Sequence, residues 1–309
     1  MRIAVMGSGG VGGYFGARLA AAGADVTFLA RGRHLAAILN GGMRVVSGAG
    51  DLHLERPAAT DDPAAVGPVD VVLFCVKLWD TESAAALCRP LLKPDTAVIT
   101  LQNGVTGIDV LTAALGRDHV AGGVAHIAAT IAAPGTIHHT GTLARMTFGE
   151  MDGRRSARLE AFRAVADRAG FDAILSDDIL CTVWEKFAFL APLSGLTALT
   201  RQPLGVVRAV PDTRALFEEA VAEVAAVAAA RGVQLGPDIE ERVMALVDAL
   251  MPEMRSSMLN DLERGGRLEL PWLSGAVTRL GAELGVTTPV HRVIAAALAP
   301  YADGPPRHP

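Results

Sequence analysis

The chain has 309 residues, half of them hydrophobic, and a net charge of −5 with no basic block. That length suits two domains, and the charge balance argues against nucleic acid or an anionic membrane surface as partner. Cys75, Cys88 and Cys181 lack paired spacing and the longest apolar stretches are broken by Gly, Pro or His, so no disulfide framework, metal site or membrane span is expected and the cytoplasm is the expected compartment.

The first predicted element is a short apolar strand over Arg2–Met6, followed by Gly7-Ser8-Gly9-Gly10-Val11-Gly12 and a helical run from Gly13 to Ala22 that Gly23 ends. Asp25 to Ala30 reads as a second strand, completing a βαβ unit. The apolar runs Val69–Val76 and Ala97–Leu101 have the texture of strands buried on both faces, with a helix between them from Thr81 to Leu92. Alternating strands and helices imply a parallel sheet. From Val120 to Gly149 short β-like pieces separated by Pro134-Gly135 and Thr140-Gly141 suggest hairpins closing that sheet. A helix over Arg154–Ala169 and a strand over Phe171–Leu175 follow.

After Ser176 the pattern is helical throughout. Asp177 or Asp178 can cap a long helix that Pro192 is expected to kink or end. Further helices are predicted at Pro211–Arg231, Pro237–Met251, Met254–Arg264, Pro271–Leu284 and Val290–Leu298, with a disordered tail from Asp303. The fold class is therefore α/β: a Rossmann-type doubly wound sheet domain over residues 1–175, then an all-α domain over 176–309.

Two features point to chemistry. The first is the glycine loop between strand and helix. Gly7 permits the turn, Gly9 lets the backbone approach a pyrophosphate and Gly12 allows close helix–strand packing, which is the dinucleotide fingerprint in its required context. Past the second strand, where NAD proteins place a carboxylate for the ribose hydroxyls, the chain reads Ala30-Arg31-Gly32-Arg33. Guanidiniums there suit a 2′-phosphate, so the expected cofactor is NADP(H). The second feature is a scarcity of lysine: only Lys77, Lys93 and Lys186 stand beside 25 arginines. Lysine gives up its proton on burial where arginine does not, so a lysine kept against this bias is a candidate proton donor. Lys186, among Trp184, Phe187 and Phe189, is the strongest; Lys77 follows a buried strand, and Lys93 reads as a loop residue.

Together these residues resemble the ketopantoate reductase family (2-dehydropantoate 2-reductases). The resemblance runs along nearly the whole chain: the glycine loop, Val76-Lys77, Gln102-Asn103-Gly104, Pro134-Gly135, His139-Thr140-Gly141, Trp184-Glu185-Lys186, Ser256 to Asp261, Gly266, Glu269, Gly275 and Glu283 to Val290. It implies an NADPH-dependent reduction of a branched 2-oxo acid to a 2-hydroxy acid on the route to pantothenate and coenzyme A. On that resemblance Lys186 is the general acid, and Lys77 and Asn103 serve the nicotinamide side and the substrate. Gly7, Ser8, Gly9, Gly10, Val11, Gly12 and Arg31 hold the cofactor, Ser257 takes the substrate carboxylate, and Glu269 binds the substrate hydroxyl and biases the lysine. A small-molecule acid is the expected partner, and a homodimer through the helical domain is compatible with it.

The chain departs from the family pattern where two asparagines normally follow the lysine by four and eight residues. Here they are Leu190 and Ser194, so Ser194 or water must supply what the asparagines would. The family's proline after the second asparagine is Gly195, and Leu270-Pro271-Trp272 replaces a more polar stretch. The alternatives left open are a reductase of this fold for a more apolar 2-oxo acid, a β-hydroxyacid dehydrogenase, and a non-catalytic NADP(H)-binding regulator.

Overall fold

The computed structural model describes residues 1–306, so Arg307, His308 and Pro309 of the predicted tail lie outside the described residues. The chain divides into two compact units, one of residues 1–103 and 107–182, the other of residues 104–106 and 183 onward.

The first unit is built on ten strands: β1 (Arg2–Met6), β2 (Asp25–Leu29), β3 (Met43–Ser47), β4 (Leu52–Leu54), β5 (Ala58–Thr60), β6 (Val71–Phe74), β7 (Ala97–Thr100), β8 (Val120–Ala133), β9 (Thr136–Glu150) and β10 (Asp172–Leu175). They form one sheet in the order β4-β3-β9-β8-β7-β6-β1-β2-β5, with β10 also pairing β9. The β8–β9 and β3–β4 pairs are antiparallel and the others parallel. Every residue of β6 and of β7 is buried, which explains their unbroken apolar sequence. The unit's helices are α1 (Gly10–Ala21), α2 (Gly32–Gly41), α3 (Pro63–Val66), α4 (Thr81–Leu87), α5 (Gly107–Leu115) and α6 (Ala157–Ala166). The apolar core includes Phe15, Phe28, Phe148 and Phe162, the last two meeting edge to face at 4.9 Å between ring centres.

This unit corrects the sequence reading in two places: the helix expected over Thr81–Leu92 ends at Leu87, where Cys88 and Pro90 lead into a short 3-10 turn, and the expected hairpins are one. The segment from Val120 to Glu150 is a single long hairpin turned at Pro134-Gly135, not a set of short pieces. Gly141 adopts φ +76° inside β9 and β8 carries register shifts beside Ala129 and Ala133, so the apparent breaks are irregularities within continuous strands. The hairpin also stands within the sheet, flanked by β3 and β7, and does not close its edge.

The second unit is helical: α7 (Ile179–Thr200, whose first turn belongs to the first unit), α8 (Leu204–Ala209), α9 (Pro211–Ala230), α10 (Ile239–Ala249), α11 (Ser257–Glu263), α12 (Ser274–Leu284) and α13 (Pro289–Leu298). Asp178 caps α7 by accepting from Cys181 N–H at 3.0 Å, while Asp177 pairs with Arg155 at 2.8 Å. Of the two expected outcomes at Pro192, the helix does not end there: α7 continues to Thr200 with the proline inside it. Pro192 cannot donate to Ala188 O, and the burial of the apolar residues of α7 around it outweighs that local cost. Long and apolar enough to cross a membrane, α7 is nonetheless mostly buried, as a core helix is. The tail beyond Asp303 is ordered as far as it is described: Asp303 pairs with Arg267 at 3.1 Å and Gly304 N–H donates to Tyr301 O at 3.1 Å.

Candidate active site

The first unit carries a cleft of about 230 Å³ at the carboxyl ends of β1, β2 and β6, the point where the strand order reverses around β1. Gly7, Ser8 and Gly9 line it from one side and Leu29, Ala30, Arg31 and His34 from another. The glycines are there for space. Gly7 holds φ +96°, and a Cβ on it would meet Val76 N at 2.8 Å; a Cβ on Gly12 would lie 2.3 Å from Gly7 O. Gly9, by contrast, has nothing within 4 Å of where its Cβ would be, so its backbone faces open space, as approach of a pyrophosphate requires. Gly9 is also the N-cap of α1 and supplies no side-chain cap, and no acidic residue occupies the first turn, so the helix N-terminus is available to an anion. The residues present therefore fit a dinucleotide.

The residues around the loop hold it in place. Ser8 is buried, its hydroxyl donating to Leu29 O at 3.1 Å and its N–H to the same oxygen at 3.2 Å. His34 lies 2.9 Å through Nε2 from Ser8 O, and its Nδ1 accepts from Gly135 N–H at 3.1 Å. Those partners fix the ring as the neutral Nε2–H tautomer and tie the glycine loop to the β8–β9 turn. Burial pulls the His34 pKa below its ordinary 6.5, against the opposing bond to Ser8. Gly10 explains a glycine the fingerprint does not demand: a Cβ there would sit 2.1 Å from Ala129 O, because the β8 backbone crosses the start of α1. Val11 packs half-buried against the core.

Arg31 is exposed and is the N-cap of α2. Its Nη2 lies 3.0 Å from Asp80 Oδ2, and Asp80 lines the same cleft. Lys77 follows β6, exposed, with Nζ 5.4 Å over the Trp79 ring. Asn103 lies part-buried beyond β7, before Gly104 at φ +80°. The loops bearing these two residues are joined by Gln102, whose Nε2 donates to Val76 O at 3.0 Å and to Thr81 Oγ1 at 2.8 Å. Lys93 is a surface loop residue paired with Asp70.

In the second unit Lys186 is part-buried on α7 between Trp184 and Phe187, whose rings meet edge to face at 5.7 Å. Burial lowers its pKa to about 8, while the charge of Glu269 acts the other way. Glu269 is itself buried, on the turn preceding α12, where its carbonyl accepts from Trp272 and Leu273. Glu185 is engaged elsewhere, with Arg242 of α10 at 2.8 Å. Leu190 is half-buried, and Ser194 is fully buried with a hydroxyl that has no hydrogen-bond partner. Gly195 stands where a Cβ would press on Ile294 at 2.9 Å and on Ser274 Oγ at 3.0 Å. Ser257 is the exposed first residue of α11; its neighbour Ser256 is the buried cap, accepting from Leu259 N–H at 3.0 Å and bonded to Thr197 Oγ1 at 2.7 Å.

The structure thus gathers Gly7, Ser8, Gly9 and Arg31 around one cleft, links the loops of Lys77 and Asn103, and couples Lys186 electrostatically to Glu269. Sequence reasoning assigned no role to His34, Asp80 or Gln102. Gln102 stood inside a quoted motif, but the other two reach their partners across long stretches of chain.

Comparison with known proteins finds similarity along nearly the whole chain. The family profile described as "Ketopantoate reductase PanE/ApbA" matches residues 3–153, and its C-terminal counterpart matches residues 178–302. A 2-dehydropantoate 2-reductase of Halobacterium salinarum is 33% identical over 96% of this chain and 97% of its own length. The uncharacterized oxidoreductase YkpB of Bacillus subtilis is 30% identical over 97% of this chain and 99% of its own. A crystal structure of a PanE/ApbA family ketopantoate reductase from Ralstonia eutropha superposes with a TM-score of 0.89 at 33% identity, covering 98% of each chain.

Proposed function

The chain belongs to the ketopantoate reductase family of NAD(P)H-binding oxidoreductases, and we propose that it reduces 2-dehydropantoate (ketopantoate) to pantoate with NADPH, in the cytoplasm, as a step toward pantothenate and coenzyme A. The observation that most supports this reading is Lys186: a part-buried lysine held at about 8 beside a buried glutamate.

The chemistry follows from what these side chains can do. A bound NADPH supplies the hydride. Reduction of a ketone places negative charge on the carbonyl oxygen, so a cation that is also a proton donor at that oxygen lowers the barrier twice over. Lys186 Nζ has this role. An ordinary lysine near 10.4 releases its proton poorly at neutral pH, and burial brings Lys186 into the working range. Glu269 limits the drop, keeping the ammonium charged until it is needed, and accepts the substrate hydroxyl. Ser257 receives the substrate carboxylate. Lys77 and Asn103 orient the reacting end of the cofactor and the substrate on loops that Gln102 braces. The glycine loop and Arg31 bind the phosphates.

Leu190 favours a second substrate reading. A side chain that cannot hydrogen-bond, in place of an asparagine, removes a donor that would discriminate for the substrate hydroxyl. A branched 2-oxo acid without that hydroxyl suits such a wall, with the same acid and the same cofactor.

The test is steady-state NADPH oxidation by the purified protein with ketopantoate, beside branched 2-oxo acids that lack the hydroxyl. Preference for ketopantoate upholds the first reading, and preference for the others upholds the second. Lys186→Ala should lower turnover by about 10²–10⁴ while NADPH binding survives. Undiminished turnover in that variant removes the proton-donor role.

A further inference from the structure

Asp80 occupies the N-cap of α4, where an aspartate ordinarily accepts from a backbone N–H of the first turn. It makes no such bond. Its carboxylate crosses the cleft rim instead, to Arg31 at 3.0 Å. The backbone that carries it is pinned: Asp80 N–H donates to Lys77 O at 2.9 Å, and its carbonyl accepts from Ser83 Oγ at 3.0 Å. The Arg31 side chain is 73% exposed and that of Asp80 30%. The carboxylate is therefore the more enclosed member of the pair, on a backbone held in place, and the guanidinium the more exposed one.

The position gives the pair its meaning. In a Rossmann crevice the residues just past the second strand meet the ribose 2′ position, where a carboxylate favours the hydroxyl and an arginine favours a phosphate. This chain brings both to one place, the arginine from the end of β2 and the carboxylate from beyond β6, 49 residues apart. Asp61 lines the same cleft and adds a second negative group. A 2′-phosphate at Arg31 must either draw the guanidinium off Asp80 or share it with a second anion. A 2′-hydroxyl can donate to Asp80 and leave the ion pair intact.

We propose that Asp80 is a specificity-determining residue that opposes the 2′-phosphate and narrows this chain's preference for NADPH over NADH. It rests on the NAD(P)H reading given above and adds to it a counterweight to Arg31.

The experiment is fluorescence titration of the full chain with NADPH and with NADH, for the wild type, Asp80→Asn and Asp80→Ser. Asparagine removes the charge and keeps the size; serine can cap α4 and checks that the effect belongs to the charge. Both variants should raise the ratio of the NADH to the NADPH dissociation constant roughly five- to tenfold, chiefly through tighter NADPH binding, and the shift should shrink as salt is added. A ratio that stays put, or moves toward NADH, overturns the proposal; the latter result would make Asp80 a support that readies Arg31 for the phosphate. If the wild type binds both dinucleotides and the ratio is unmoved, Asp80 alone is refuted. If it binds neither, the cofactor reading falls and the proposal falls with it.

Discussion

Replacing Glu269 by glutamine tests the coupling at the heart of the proposed mechanism. The amide keeps the size and hydrogen-bonding of the acid and removes its charge. Burial lowers the Lys186 pKa to about 8 against the opposing pull of Glu269. Removing that pull leaves the burial effect alone, and an opposite charge at close range is worth roughly 1 pH unit or more. The wild-type lysine is about nine-tenths charged at pH 7, and the variant about half. At pH 8 the charged fraction falls from about one half to about one tenth, so kcat/KM there should drop roughly fivefold beyond any pH-independent loss. The alkaline limb of the kcat/KM profile should move down by about 1 pH unit, equivalent to about 1.4 kcal/mol. Nζ resonances of protein labelled with ¹⁵N-lysine give the same pKa without turnover, and with only Lys77, Lys93 and Lys186 in the chain they are readily assigned. An alkaline limb that stays at its wild-type position, or moves up, would refute the reasoning, because Glu269 would then not be holding the proton on Lys186.

Lys186→Met, made in the Glu269→Gln background so that no buried carboxylate loses its cation, should abolish turnover yet stabilise that background by about 1–3 kcal/mol at pH 7, read from denaturant unfolding; the lysine's pKa is depressed on folding, so its penalty is complete below the folded pKa and disappears as pH rises past about 10.5. A double variant no more stable than that background would show that the lysine is not desolvated. His34→Ala should weaken NADPH binding roughly tenfold with kcat little changed, since it frees the Ser8 carbonyl and the β8–β9 turn without touching the reacting atoms; a pure fall in kcat would count against that role. In the wild type the His34 contribution to stability is complete above about pH 6.5 and is lost as pH falls through its lower folded pKa, which an acid melting series would show as a step absent from the alanine variant. Gly10→Ala should cost about 1–3 kcal/mol in chemical denaturation, because its methyl has no room beside Ala129 O; an unchanged midpoint would mean that β8 yields freely.

What the sequence disclosed and what it hid divide along the range of the forces involved. The bounds of β1 and the place of the glycine loop follow from local chemistry: short apolar runs, a glycine forced to φ +96°, and a helix terminus left without a cap. Lys186 emerged from composition, since a rare residue in an apolar setting is conspicuous. The hairpin misled because Gly141 and the small residues of β8 imitate turn chemistry, and strand continuity there is decided by cross-strand pairing. Pro192 does not end α7 because helix propensity is a weak prior inside a buried helix. The Arg31–Asp80 pair could not be read at all: a search for a carboxylate about 20 residues past the loop stops well short of one that arrives after β6.

The cation content of the chain bears on the mechanism in one further way. Arginine serves nearly every ion pair here, on the surface with Asp172, Asp177 and Asp248 and in the interior with Glu150. Lys93 has such a place as well, beside Asp70, and nothing in its surroundings demands lysine. Lys186 differs. Its desolvation destabilises the folded chain at neutral pH, and the Glu269 charge only partly offsets this. A guanidinium at the same position would suffer similar burial but could not release a proton in the working range. An apolar side chain there would bring no charge to be desolvated. Stability alone therefore favours neither the lysine nor the glutamate that keeps it charged. On the proposed function, what favours both together is a step that consumes a proton at that point, which is the step that reduction of a ketone requires.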